Sequence, residues 1–146
     1  MLCGVSHREE FTLRSEVRVA APFGKWSPEL LRGQHTLDEL LAALPPDGRN
    51  RLEIEIRGRQ LSRQSPVNHL PGTAKTLACL LLATLSAGIV VFSISGLDPI
   101  GVQKVYGYLA DQMKHGLGLI EVQFLGGRQN EDRPVRVRVF DAYPGA

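Results

Sequence analysis

The sequence predicts an α+β fold: a two-layer sandwich with a β-α-β-α-β-β core and an N-terminal β-α extension. Three observations carry this. Apolar and polar residues alternate over short runs at 11–20, 51–57, 119–125 and 133–140. Apolar residues recur at helical spacing behind start signals at 36–44 and 98–113. Between them, the charge-free run 76–97 changes midway from helix formers to β-branched residues.

In chain order, FTLRSEVRVA (11–20) places Phe11, Leu13, Val17 and Val19 on one face and Thr12, Arg14, Glu16 and Arg18 on the other, a half-buried strand. Ser27-Pro28 pairs an N-cap with a first-turn proline and predicts a short helical turn through Glu29–Leu31, anchored by Trp26. Thr36 and Glu39 have capping-box spacing; Leu37, Leu40, Leu41 and Leu44 then form one helical face that Pro45-Pro46 ends. After a Pro46-Asp47-Gly48 turn, RLEIEIR reads as a strand with Leu52, Ile54 and Ile56 inward and Glu53, Glu55 and Arg57 outward. Residues 58–72 read as a long loop.

A helix over 73–87, apolar nearly all round, and a central strand over 89–95 divide the charge-free run. Asp98-Pro99 starts an amphipathic helix carrying Val102, Val105, Tyr106, Leu109 and Met113, which Gly116 ends. LIEVQFL and RPVRVRVF form a closing hairpin. Two helices on one face would leave the other face wet, displaying Glu53, Glu55, Arg57, Glu121, Gln123, Arg136 and Arg138. The domain reading is an extension over 1–50 and an α+β domain over 51–146.

Function is less legible. Seventeen Lys+Arg against fifteen Asp+Glu leave +2, too little to require nucleic acid or a membrane as partner. Cys3 and Cys79 make no disulfide framework, and His7, His35, His69 and His115 lack metal-ligand spacing, so no metal or other cofactor is expected. The N-terminus has no apolar core behind a basic start, so the expectation is a cytoplasmic protein. Residues 76–97 are long enough to cross a bilayer, but the change of character at Gly88 favours a helix and a strand over a span. No G-x-S-x-G elbow or acid-base-nucleophile arrangement exists, which speaks against an enzyme.

From residue 51 to 140, the order of elements is similar to that of the Alba superfamily, and within it to the stage V sporulation protein S branch. The residues that carry the resemblance are Ser65-Pro66, the helix pattern Ala74-Lys75-Thr76-Leu77-Ala78-Cys79-Leu80-Leu81, and Glu131-Asp132-Arg133-Pro134-Val135-Arg136-Val137. The resemblance implies nucleic-acid binding by paired subunits. The small sulfur carriers of the TusA kind share this order, and Asp98-Pro99 with 116–122 resembles their fold; Leu70 stands before Pro71 where they carry the persulfide cysteine.

Two surfaces follow as candidates. Arg57, Arg59, Arg63, Lys75, Arg128 and Arg133 would meet a phosphate backbone from loops, while Arg136 and Arg138 would pair with Glu53 and Glu55 across the sheet. The consecutive Leu80, Leu81 and Leu82 spread over more than half a helix circumference, so one must face away from the sheet. It is covered either by the 36–44 helix of the same chain or, in a homo-oligomer or complex, by a second protein.

Overall fold

The computed structural model describes residues 16–21, 27–32, 34–124 and 135–140. The chain is a mixed α+β fold in which an open four-stranded sheet is interleaved with helices. Strand β1 is Val17–Ala20. Helices α1 (Leu37–Ala42), α2 (Pro46–Gly58) and α3 (Gly72–Ala83) follow, then β2 (Ile89–Phe92), α4 (Pro99–Lys114), β3 (Gly118–Phe124) and β4 (Val135–Phe140). Single 3-10 turns occupy Glu29–Leu31 and Val67–His69. The sheet order is β1-β2-β3-β4, with the first three strands parallel and β4 antiparallel to β3.

The expected strand over 51–57 is helical. Leu52 and Ile56 are one helical turn apart and both buried, while Ile54, expected inward, is 68% exposed. Alternation over seven residues cannot separate a strand from a helix whose i and i+4 positions are both apolar. The surrounding residues decide: Leu, Glu and Arg favour helices, Pro46 occupies the first turn, and Asp47 complements the N-terminal dipole. Pro46-Asp47-Gly48 is thus the start of α2 rather than a turn before a strand. The helix ends in the paired bonds of a Schellman motif, Gln60 N–H to the Arg57 carbonyl (3.0 Å) and Leu61 N–H to the Ile56 carbonyl (3.1 Å). Gln60 takes the left-handed conformation, φ 56°, that closes it.

Two further expectations change with α2. The first strand of the series is Val17–Ala20, bonded to β2 in register Val17 to Ile89 through Ala20 to Phe92. The boundary proposed between 50 and 51 falls inside α2, and residues on both sides of it share one core. Other elements lie where expected. Thr36 makes a capping box with Glu39, and Leu37, Leu40, Leu41 and Leu44 are buried. The Asp98 carboxylate accepts from Gly101 N–H at 2.6 Å to start α4. Gly101 also lets α4 approach α3, since a Cβ there would lie 2.5 Å from Thr73 Oγ1.

The predicted apolar surround of the third helix is real, and the same chain covers it. Helix α3 packs on β1 and β2, α2 packs on α3, and α1 packs on α2. Leu80 and Leu81 are buried in this arrangement; Leu82 is half-buried beside a shallow groove that it shares with Arg18, Val19 and Pro28. The leucine cluster proposed as an interface between subunits is therefore mostly an interface between helices. Among the described residues no helix is long and apolar enough to cross a membrane.

Candidate interaction surface

Among the described residues, the candidate nucleic-acid residues do not assemble into one basic surface. Arg57 and Arg63 converge on a carboxylate: Arg63 pairs with Glu53 and, at 3.4 Å, with Asp38, while Arg57 lies 3.8 Å from Glu53. Arg59 is exposed at the end of α2, and Lys75 is half-buried in the first turns of α3. Arg128 and Arg133 lie outside the described residues. Glu53 and Glu55 are not across a sheet from Arg136 and Arg138, because α2 is not a strand; Glu55 instead holds Lys104 of α4 at 2.6 Å.

A cleft of about 1060 Å³ opens between α2, the end of α3 and α4, lined by Asn50, Arg51, Thr84, Tyr108 and Asp111 among others. Its polar groups answer one another. Arg51 binds Asp111 at 2.7 Å and lies 5.2 Å from the centre of the Tyr108 ring, whose hydroxyl bonds Thr84 Oγ1 at 2.6 Å. These contacts fasten α2 to α4 and α4 to α3; Asn50, Gln112 and His115 also line the cleft.

Cys79 lies fully buried in α3, and desolvation pushes its thiol up to about 12. A thiol so placed is not a nucleophile at neutral pH. Because the folded-state value lies above the unfolded one, its contribution to stability is complete below about pH 9 and is lost as pH rises towards 12. Tyr108, raised mainly by burial, adds the same trend above its ordinary value. In a Cys3→Ser background we expect no reaction with a thiol reagent until the protein unfolds. Thermal melts from pH 8 to 11 should fall steeply, and less steeply for Cys79→Ala. Rapid thiol labelling of the native protein would contradict the burial. Among the described residues no three His, Cys, Asp or Glu side chains gather as metal ligands.

The sheet carries the unexpected feature. Its register puts Val90, Phe92, Leu119 and Glu121 on one face, beneath α3 and α4; the edge-on contact of Phe92 with Tyr106 (6.5 Å between centroids) fixes α4 on that side. Both crossovers, β1 to β2 and β2 to β3, step in one direction. Right-handed connections of that kind deliver their helices to the same face. The opposite face then consists of Val17 and Val19, Ile89 and Val91, Ile120 and Val122, Val137 and Val139. All eight are β-branched and aliphatic, and no described helix lies over them.

Exposure agrees with this placement. Val19 is 42%, Val137 51% and Val139 64% exposed, while Val17, Ile89, Val91, Ile120 and Val122 are half-buried. The wet outer face expected from the sequence is thus inverted. Glu121, Gln123, Arg136 and Arg138 lie in register on the helix side. There Tyr106 donates to Glu121 at 2.9 Å, Gln123 Nε2 donates to it at 2.7 Å, and Arg138 stands 3.7 Å away. Glu121 is completely buried, and Arg138 extends over Phe140 (5.1 Å to the ring centre) towards water. Helix α4 packs on β3, so the long polar side chains of β4 reach solvent beside the helical layer. The signal for this was present: in VRVRV the valines, not the arginines, mark a face in need of a cover.

Comparison with known proteins returned no match: no family model, no curated protein and no solved structure is similar enough to this chain to be matched.

Proposed function

We propose that the protein is an assembly module that works by burying the bare aliphatic face of its sheet against another protein surface. The single observation behind this reading is that face: eight valines and isoleucines in register across four strands, with no charged residue at any of those positions. Four strands of four to seven residues, spaced about 4.8 Å apart, make a patch of roughly 350 Å². Contiguous apolar patches of that size on a folded chain are commonly functional, and uncovered they carry a cost in solubility. In the α2–α4 cleft Arg51 is already paired with Asp111, and Arg63 is held by carboxylates, so neither is a ready contact for a phosphate backbone.

The test is a pair of lysines, Val137→Lys with Val139→Lys. Both side chains are more than half exposed, so the charges can reach water in the free protein and the fold should keep its melting temperature to within a few degrees. After chemical cross-linking in cells, which traps reversible complexes, the wild-type chain should migrate in a species larger than itself, and the variant as the free chain. Equal migration of the two would refute the sheet face as the working surface.

A further inference from the structure

Resting on that reading, we infer that the occupant of the face is a second copy of the same chain, packed sheet to sheet about a two-fold axis. An isologous contact requires one patch to complement itself, and a neutral patch of short aliphatic side chains does so without pairing any charge. Among the described residues the charges of β3 and β4 are on the other side: Glu121 and Arg138 share the helix face, so two such faces can meet at the usual ~10 Å spacing of packed sheets without desolvating these ions.

Pairing by strand edges, the other route by which open sheets associate, is obstructed at both ends. An antiparallel β4-to-β4 contact would set Arg136 and Arg138 against their copies, like charges on adjacent strands. At the other edge, β1 has only four residues and carries the Glu16–Arg18 ion pair. The face is left as the contact.

Two patches of roughly 350 Å² bury about 700 Å² together, less than the ~1,200–2,000 Å² of stable specific complexes, so the dimer should be weak and reversible.

The experiment is sedimentation of the full chain from ~5 μM to ~1 mM, combined with methyl NOE spectra on a mixture of isotope-labelled and unlabelled protein. We expect a monomer–dimer equilibrium, cross-peaks between chains among Val91, Ile120 and Val139 methyls, and dimerisation at least about 100-fold weaker for V137K/V139K. The mixed-label spectrum needs no substitution, so a variant that failed to fold would not spoil the test. A monomer up to ~1 mM overturns the second copy; if these methyls then contact residues 1–15 of their own chain, the assembly reading falls with it, whereas methyls open to solvent leave that reading to the cross-linking test. A dimer insensitive to both lysines, with cross-peaks elsewhere, also overturns the inference.

Discussion

Leu80→Asp is expected to abolish folding rather than to separate subunits. The side chain is completely enclosed in α3 among residues of the common core, so the new carboxylate would sit without a partner where no water reaches. Burying an unpaired charge costs several kcal/mol, a large part of the ~5–15 kcal/mol that holds a domain of this size. Circular dichroism of the purified variant should show loss of the cooperative melt, with recovery mostly as aggregate. A folded variant whose only change is a smaller assembly would return the leucine cluster to the surface and dismantle the helix packing described here.

The second large effect concerns the buried carboxylate on β3. Tyr106 donates to Glu121 within 2.9 Å of both oxygens, and Gln123 supplies a further donor, so a charge with no exposure to solvent is answered by side chains of α4 and the sheet. Tyr106→Phe keeps the ring against Phe92 and removes the donor. We expect a loss of about 1.5–3 kcal/mol in urea unfolding at pH 7, the range for a hydrogen bond to a charged group. Glu121→Leu in the same background should recover part of it, because the buried carboxylate that has lost its Tyr106 donor is then gone; a double-mutant cycle measures that coupling. Strict additivity of the two substitutions would show that the contact contributes nothing. The raised value of Tyr106, due first to desolvation and then to Glu121, places any tyrosinate-linked loss of stability above the ordinary phenol range near pH 10.

Much of the fold was legible because several elements carry signals that agree at more than one level. Thr36 with Glu39, and Asp98 with Pro99, combine a cap with an apolar period, and both helices begin there. The change at Gly88 from leucines to β-branched residues separated α3 from β2 correctly. Legibility failed where one pattern served two structures. In RLEIEIR, Leu52 and Ile56 satisfy either period, and the start signal that decides between them, Pro46 and Asp47 in the first turn of α2, also reads as a turn. That one substitution of helix for strand moved the first strand back to Val17 and removed the sheet neighbours assigned to Arg136 and Arg138.

The surface was misread for a related reason. Alternation shows that a strand has two unlike faces, but not which face receives the helices; that depends on connection handedness and strand order. In β2 both faces are apolar, since Ile89 and Val91 oppose Val90 and Phe92, and a strand flanked by apolar residues on both sides needs two covers. The helices supply one.

Whether the folded chain leaves the second face uncovered is decided by the solvent exposure of three methyl-bearing residues. With valine methyls labelled, protein at ~5 μM, where the weak dimer proposed above is dissociated, and a soluble paramagnetic agent, Val19, Val137 and Val139 should broaden strongly, while Val67, Val90 and Val105, all fully buried, should not. Protection of Val137 and Val139 equal to that of Val90 in a verified monomer would mean that the chain covers its own sheet, and would contradict the bare face on which the functional reading stands.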